Sequence, residues 1–344
     1  MFLEQTSTSS AGLLKQTDDS SFRYEDAHDA MGTTFDVVAY GPDDEHLASV
    51  INEVFDEVDR LDQQMSKYRR DSEVSHINRT ASRHDVIVEP RLFRLIQDSI
   101  LASIETEGAF DITIGPLMKS WGFYRQEGRV PSLAEIERVL QSIGYQHIKL
   151  DPSLRMIWFD EKEVELDLGA IAKGYAIDHA VSILRSHGVT SALLSSGSSS
   201  IYALGAPPHE RAWQITLRDP FDANQGADII LLKNCSVSTS GNYVRFFTLN
   251  GKTYSHIINP LTGWPVEGML STAVVSQETT ESEALSTALY TMGLERASRV
   301  LATHPNLKVI YYLPTLPPVK FERVVARSSS YDLPPEVLAE IKKP

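Results

Sequence analysis

The sequence predicts an α+β fold, in which helices and strands occupy separate stretches of the chain. Apolar residues recur at helical spacing in three segments before Tyr145. Beyond Tyr145, short runs rich in strand-forming residues alternate with Gly, Pro, Asn and Asp. Only two helical patterns interrupt this second half, and they do not alternate regularly with strands as a parallel βαβ fold requires.

The first half is predicted to contain one strand followed by three helices. Residues 33–40 read TTFDVVAY, a β-branched and aromatic run closed by the turn residues Gly41 and Pro42. Apolar residues at three- and four-residue spacing predict an amphipathic helix over 44–64. The same spacing predicts helices over 92–104 and 133–143, the latter ending before Gly144.

Short strands are predicted for the second half of the chain. They correspond to the runs SALLSS, WQITL, DIILL, SVSTS and KTYSHII. The two interrupting helices begin near Gly169 and cover 281–301.

Composition excludes several classes of protein. The chain has 344 residues, 42% of them hydrophobic, which is enough for a full core. Its net charge of -14 repels a phosphodiester backbone, so nucleic acid is not an expected partner. The single cysteine, Cys235, lies in an apolar stretch and is expected to be a buried structural thiol.

No apolar run approaches the ~20 residues that cross a bilayer, and no signal peptide is recognisable at the start. Residues 1–21 are rich in Ser, Thr and Gln, which predicts a disordered arm before one domain over 22–344. The sequence as written suggests a cytoplasmic protein. A periplasmic or membrane-anchored location is the alternative if a leader has been removed.

Asp167 precedes a segment suited to phosphate binding. In residues 163–168, EVELDL, a strand would place Glu163, Glu165 and Asp167 on one face. The following GAIAKGYAID predicts a helix whose small first residues let a phosphate approach free backbone amides, with Lys173 one turn further in. A solvated strand face followed by an ordinary helix is the alternative interpretation.

Glu283 and Thr287 lie four residues apart on the last predicted helix, so both project from one face. A carboxylate and a hydroxyl suit magnesium, which takes its remaining ligands from phosphate and water. The alternative is a surface glutamate beside a threonine that bonds back to its own helix.

His256 lies at the end of a predicted strand, before the rigid pair Asn259 and Pro260. A histidine here suits a general base or a group that orients a carboxylate. A packed, hydrogen-bonded strand histidine is the simpler interpretation, and none of these candidates identifies an activity by itself.

Taken together, seven segments resemble the FAD:protein FMN transferase (ApbE) family, in the same order along the chain. They are MGTTFDV at 31–37, SKYRRDSEVSHIN at 66–78, GAFDITIGPLMKSWGF at 108–123, ELDLGAIAKGYAID at 165–178, TSGNY at 239–243, SHIINPLTGWPV at 255–266 and EALSTALYTMG at 283–293. The resemblance implies an α+β flavin transferase fold of mixed sheets and flanking helices, with FAD in a cleft between lobes.

The resemblance also implies a set of ligand-binding residues. Those corresponding to FAD contacts are Met31, Tyr68, Ala109, Phe110, Asp111, Asp167, Lys173 and Ile258. Those corresponding to magnesium ligands are Ala170, through its backbone carbonyl, Glu283 and Thr287.

The implied reaction moves FMN from FAD to a threonine or serine hydroxyl of an acceptor protein and releases AMP. Phosphoryl-type transfer needs an aligned nucleophile, charge neutralisation and a base. His256 is the candidate base or its partner, with magnesium and Lys173 supplying positive charge. Two alternatives stay open: an FAD hydrolase that uses water as the nucleophile, and an FAD-binding protein without turnover.

Three positions depart from the family pattern. Glu283 stands where many relatives have aspartate, and Asn259 stands where aspartate is common, so a base role for that aspartate would pass to His256. The turn Gly197-Ser198-Ser199 replaces a Gly-Gly-Asp or Gly-Gly-Asn turn, and a different loop path is expected because serine lacks the conformational freedom of glycine.

Overall fold

The computed structural model describes residues 13–16, 21–124, 127–222, 224–315, 321–327 and 338–342, and these residues form the predicted α+β fold. The helices are α1 (Asp44–Met65), α2 (Glu73–Thr80), α3 (Pro90–Glu105), α4 (Gly115–Ser120), α5 (Leu133–Leu140), α6 (Ala172–Ser186) and α7 (Thr279–Thr303). A short 3₁₀ turn covers Tyr145–His147.

Strands both precede and follow α6 along the chain. They are β1 (Leu13–Gln16), β2 (Phe22–Ala30), β3 (Thr33–Gly41), β4 (Val86–Ile87), β5 (Ile148–Asp151), β6 (Met156–Phe159), β7 (Ser191–Ser196), β8 (Ser200–Leu204), β9 (Trp213–Arg218), β10 (Gly226–Lys233), β11 (Cys235–Gly241), β12 (Phe246–Leu249), β13 (Lys252–Ser255), β14 (Ser271–Ser276), β15 (Lys308–Pro314), β16 (Phe321–Arg327) and β17 (Leu338–Lys342).

A nine-stranded sheet organises the described part of the molecule, in the order β1-β2-β3-β7-β8-β11-β14-β15-β16. Its neighbouring strands are all antiparallel. Three smaller sheets accompany it: β17-β10-β9, β4-β6-β5 and the hairpin β12-β13.

Both faces of the large sheet are covered, which follows from side-chain alternation along its strands. On β3, Phe35 and Val37 belong to the core under α1 and α6, whereas Val38 and Tyr40 pack against the core beneath β9 and β10. Helix α7 covers β11 and β14 on the helical face. The strands that pack against these helices are therefore covered on both faces of the sheet.

A smaller lobe surrounds Trp121, which is fully buried. Helices α4 and α5 pack there against the β12-β13 hairpin, and Trp121 Nε1 donates to the Gly263 carbonyl at 2.8 Å. The hairpin ends one residue before His256, so the position of this lobe determines where the histidine lies.

Helices α6 and α7 approach each other closely at Gly174. A Cβ atom at that position would lie 2.4 Å from the Thr279 carbonyl oxygen, so any larger residue would push the helices apart. Asp178 of α6 accepts hydrogen bonds from the Thr279 and Thr280 amides at 2.8 Å and so caps α7 from a neighbouring helix. The beginnings of both helices are thereby held together.

Most of the predicted elements are confirmed. The predicted strand at 33–40 is β3, the three predicted helices of the first half are α1, α3 and α5, and the two later helices are α6 and α7. The run KTYSHII forms a shorter strand than predicted, because β13 ends at Ser255.

The strand predicted for 163–168 is wrong. Residues 164–168 form no ladder, because Leu166 exchanges backbone hydrogen bonds with the side chain of Asn78 and the Asp167 amide donates to the Ile112 carbonyl at 2.7 Å. Within the predicted disordered arm, residues 13–16 form β1, and residues 1–12 and 17–20 lie outside the described residues.

No helix in the described part of the chain is both long enough and apolar enough to span a membrane. Cys235 is buried, as expected, and burial raises the pKa of its thiol to about 12.

Candidate active site

The candidate site lies where five segments meet: the residues after α1, the residues after α4, the turn before α6, the first turns of α7 and the end of β13. Asp167 is its most connected member. Its Oδ2 accepts hydrogen bonds from the Lys67 ammonium and, at 2.9 Å, from the Tyr124 hydroxyl. Its Oδ1 accepts from the Gly169 amide at 2.9 Å, which shapes the turn that leads into α6.

Lys67 and Asp167 form an ion pair with little access to solvent, since their side chains are 16% and 5% exposed. Burial raises the pKa of Asp167, but the charge and hydrogen bond of Lys67 outweigh burial and hold this pKa below its usual value. Burial lowers the pKa of Lys67, and Asp167 opposes that change. We therefore describe the pair as carboxylate and ammonium.

Two tyrosines border this ion pair. Lys67 Nζ lies 3.9 Å from the centre of the Tyr124 ring, a cation–π contact, and Tyr68 meets Tyr124 edge-on with ring centres 5.8 Å apart. Burial, followed by the Asp167 charge, raises the pKa of Tyr124 well above its usual value, so its hydroxyl stays a donor. Tyr68 is 64% exposed, which leaves an aromatic face free at the mouth of the site.

Lys173 forms the second ammonium–carboxylate pair, with Glu283. Its ammonium also donates to the Gly169 carbonyl at 3.1 Å. Glu283 is buried, and its Oε2 accepts from the Gly174 amide at 2.6 Å in the first turn of α6. The longer side chain of glutamate thus spans the gap between α7 and α6.

The predicted magnesium ligands provide oxygen donors close together. Thr287 lies one turn after Glu283, and its hydroxyl is 3.2 Å from Ser240 Oγ. Ala170 follows Gly169, whose carbonyl shares the Lys173 ammonium with Glu283. The Gly169 carbonyl, one residue before the predicted ligand Ala170, and the Glu283 carboxylate thus both bind the Lys173 ammonium. Carbonyl, carboxylate and hydroxyl oxygens are the donors that suit a hard cation such as magnesium.

In the part of the chain that the structure describes, no three His, Cys, Asp or Glu side chains are grouped as a metal site. The magnesium ligands would therefore include one carboxylate only. Such a set leaves room for the phosphate and water ligands that magnesium prefers.

His256 has a defined tautomer. Its backbone amide and its Nδ1 are both 3.0 Å from the Arg245 carbonyl oxygen, which can only accept, so Nδ1 carries a proton. Burial, followed by the charges of Arg245, Lys173 and Lys67, lowers the pKa of His256 to about 4. At neutral pH the ring is therefore uncharged, and its Nε2 has a lone pair that can accept a proton.

The other predicted FAD contacts lie on the surrounding segments. Met31 occupies the turn between β2 and β3, packs against the helical core and has a left-handed backbone with φ of 51°. Ile258 packs in the small lobe beside Trp121. These two residues therefore belong to different hydrophobic clusters.

The segment Ala109–Phe110–Asp111 is buried. The side chains of Ala109 and Phe110 belong to hydrophobic cores, and the Asp111 carboxylate accepts from Thr113 and from the Tyr145 amide. Beside Asp111 is a cavity of about 360 Å³, which is also lined by Gly108, Tyr145, Pro260 and Leu261.

Two departures from the family pattern have structural roles. The Asn259 side-chain oxygen accepts from the Leu261 amide at 2.9 Å and stabilises the turn after Ile258. In the turn 197–199 only Gly197 has a left-handed backbone, with φ of 55°. The two serines therefore do not need the left-handed conformation, which glycine adopts easily and serine does not.

Sequence reasoning missed three site residues: Lys67, Tyr124 and Arg245. Lys67 is adjacent to Tyr68 in the segment SKYRR, and Arg245 follows the segment TSGNY. Lys67 lies inside the recognised segment 66–78, and Tyr124 and Arg245 lie just beyond the segments 108–123 and 239–243. The contact of Lys67 with Asp167, 100 residues away, leaves no local pattern.

Two lysine–carboxylate ion pairs near an uncharged histidine, one of them at the beginning of α6, indicate an enzyme that acts on a phosphate-bearing substrate. The comparisons with known proteins narrow this class. Residues 31–311 match the ApbE family, and this chain belongs to it.

Similar proteins agree with this membership. An FAD:protein FMN transferase of Klebsiella pneumoniae (strain 342) is 34% identical over 270 residues, covering 78% of this chain and 82% of that protein. The solved ApbE protein of Thermotoga maritima MSB8 superimposes with a TM-score of 0.79 at 29% identity, covering 90% of this chain and 97% of its own. The flavin transferase ApbE of Vibrio cholerae gives 0.77 at 27%, covering 90% and 98%.

Proposed function

We infer that this protein is an FAD:protein FMN transferase, which moves FMN from FAD onto an acceptor protein and releases AMP. The observation that supports this function most strongly is an uncharged His256 near two lysines whose charges help to lower its pKa, each lysine being paired with a buried carboxylate, in a chain of the ApbE family. The relatives named above carry the same activity in their names.

FAD is the substrate and occupies the cleft in this proposal. The exposed ring of Tyr68 offers a stacking surface. Asp111 borders the cavity described above. The Lys173 ammonium and the first turn of α6 attract the diphosphate, because a helix N-terminus and a lysine both favour negative charge. Asp167 acts through its neighbours, because its oxygens are already bonded to Lys67, Tyr124 and Gly169.

Transfer begins with a threonine or serine hydroxyl of the acceptor. His256 Nε2 takes the hydroxyl proton while the oxygen forms a bond to the FMN-side phosphorus of FAD. The anhydride P–O bond breaks, and its electron pair leaves with AMP. The Arg245 carbonyl holds the imidazole in the required tautomer throughout.

Substrate binding also acts on the basicity of His256. A base with a pKa of about 4 accepts protons poorly; burial is the main cause of that value, and three nearby positive charges contribute to it. The negative diphosphate offsets these charges and so opposes their effect on the pKa of His256, whereas the effect of burial remains.

We propose that Glu283, Thr287 and the Ala170 carbonyl hold magnesium in the working enzyme. When bound, the ion would neutralise negative charge on the phosphates. Lys173, which pairs with Glu283, places a further positive charge beside these ligands.

The test is to incubate the purified protein with FAD and a threonine-bearing acceptor, with and without magnesium. AMP release and denaturation-resistant flavin fluorescence on the acceptor are the readouts. Both signals appearing only with magnesium are the expected result. AMP without labelled acceptor, across several acceptors, would indicate a hydrolase, and bound FAD with neither signal would indicate a binding protein.

A further inference from the structure

A row of buried hydroxyl groups joins β11 to α7. Ser236, Ser238 and Ser240 alternate along β11, so all three face the helix, and they are at most 9% exposed. Ser282 and Ser286 lie one turn apart on α7 and face the strand. The contacts form two groups, one around Ser282 and one around Ser286.

The group around Ser286 reaches the proposed metal site. Ser286 Oγ donates to the Glu283 carbonyl at 2.9 Å, and Ser240 Oγ lies 2.9 Å from Ser286 Oγ and 3.2 Å from Thr287 Oγ1. Thr287 Oγ1 is 3.5 Å from the Glu283 carbonyl, which is too long for a good hydrogen bond. Ser240 is thus the closer partner of the Thr287 hydroxyl.

The number of protons on each hydroxyl group limits which of them donates in this set of hydrogen bonds. A hydroxyl has one proton to donate and two lone pairs. When the Ser286 proton goes to the Glu283 carbonyl, Ser286 can only accept from Ser240. In that arrangement Ser240 offers lone pairs to Thr287, and the Thr287 proton points toward Ser240. The lone pairs of Thr287 remain available for a cation.

We propose that Ser240 is a positioning residue of the magnesium site, which turns the Thr287 hydroxyl so that its lone pairs face the metal. This inference rests on the metal site of the proposed function. Without Ser240, the Thr287 proton bonds back to its own helix at Glu283, as helical threonines commonly do, and the hydroxyl rotates. Residues that orient a ligand typically contribute about 10-fold to 100-fold in metal affinity.

Ser238 supplies a matched control. It is also buried on β11 and bonds at 2.8 Å to Ser282 Oγ, in the group that does not contact Thr287. Ser238→Ala and Ser240→Ala therefore remove the same atom from the same strand and helix interface. Only the second change affects a proposed metal ligand.

The experiment measures binding of Mn²⁺, a paramagnetic substitute for Mg²⁺, by electron paramagnetic resonance, with FAD present and no acceptor. Ser240→Ala is expected to weaken Mn²⁺ binding about 10-fold or more, while Ser238→Ala matches the wild type. Ser240→Thr, which keeps the oxygen, should recover most of the affinity. Circular dichroism and FAD binding check that each variant is folded.

Equal Mn²⁺ affinity in wild type and Ser240→Ala would overturn the proposal, as would equal losses in both alanine variants. If Ser240→Ala does not fold, Ser240→Cys replaces the oxygen by a weak sulfur acceptor at similar volume, and wild-type affinity there would also overturn it. If the wild type does not bind Mn²⁺, the proposed metal site itself is wrong. AMP release by the wild type, measured separately, reports whether the transferase function holds.

Discussion

The Lys67 ammonium and the Asp167 carboxylate form a buried ion pair beside the ring of Tyr124, although the two residues are 100 positions apart in the chain. This pair connects the end of α1 to the turn before α6. Asp167 also shapes that turn through the Gly169 amide. The position of the α6 N-terminus therefore depends on a contact that lies entirely inside the site.

Lys67→Met is expected to lower the free energy of unfolding by about 3 kcal/mol or more, because it leaves a buried carboxylate without its partner. The control is Lys119→Met, which breaks the more exposed ion pair with Glu165 and should cost less than about 1 kcal/mol. Urea denaturation of both variants measures the difference. Equal losses would show that Lys67 and Asp167 do not form a buried pair.

His256→Gln should slow FMN transfer by about 10²-fold to 10⁴-fold while FAD still binds, because the base is lost and the amide keeps a polar group in place. Single-turnover transfer and flavin fluorescence titration separate the two effects. A comparable loss of FAD affinity would make His256 a structural residue.

The pH dependence of stability also tests the state of His256. Its pKa is about 4 in the folded protein and about 6.5 when unfolded, so the unfolded chain binds more protons between these values. The contribution of His256 to the free energy of unfolding is fully present above pH 6.5 and is lost as the pH falls toward 4. At most about 3 kcal/mol is involved, because each unit of pKa corresponds to ~1.4 kcal/mol.

Chemical denaturation of wild type and His256→Gln from pH 7 to pH 4 measures this effect. The wild type should lose stability more steeply than the variant across that range. Parallel curves would mean that the imidazole titrates normally in the folded protein.

Glu283→Gln should raise the magnesium concentration needed for transfer by about 10-fold or more, because the amide lacks the charge that attracts the ion. The amide oxygen can still accept from Gly174, so folding should be largely retained. Glu295→Gln, an exposed change further along α7, is the control. The metal assignment would be contradicted if both variants had the wild-type magnesium dependence.

Local patterns predicted the elements that carry the site, but not all of its contacts. Helices α6 and α7 followed from apolar spacing, and the Glu283 and Thr287 pair followed from their separation of four residues. The pairing of Glu283 with Lys173 is not visible in that spacing, because it depends on Gly174 allowing two helices to approach.

The error at 163–168 has a similar origin. The alternation correctly predicted that Val164, Leu166 and Leu168 are buried, yet the backbone bonds go to the Asn78 side chain and to Ile112. An extended segment can show the burial pattern of a strand without having a neighbouring strand. Asp167 is buried as well, because Lys67 compensates its charge, which alternation of side chains cannot reveal.

The most direct test of FMN transfer is the intact mass of a threonine-bearing acceptor after incubation with this protein, FAD and magnesium. A mass increase equal to FMN less one water, absent when the acceptor threonine is replaced by valine, is the predicted result. An unchanged acceptor mass while FAD is converted to FMN and AMP would contradict the account and indicate hydrolysis instead.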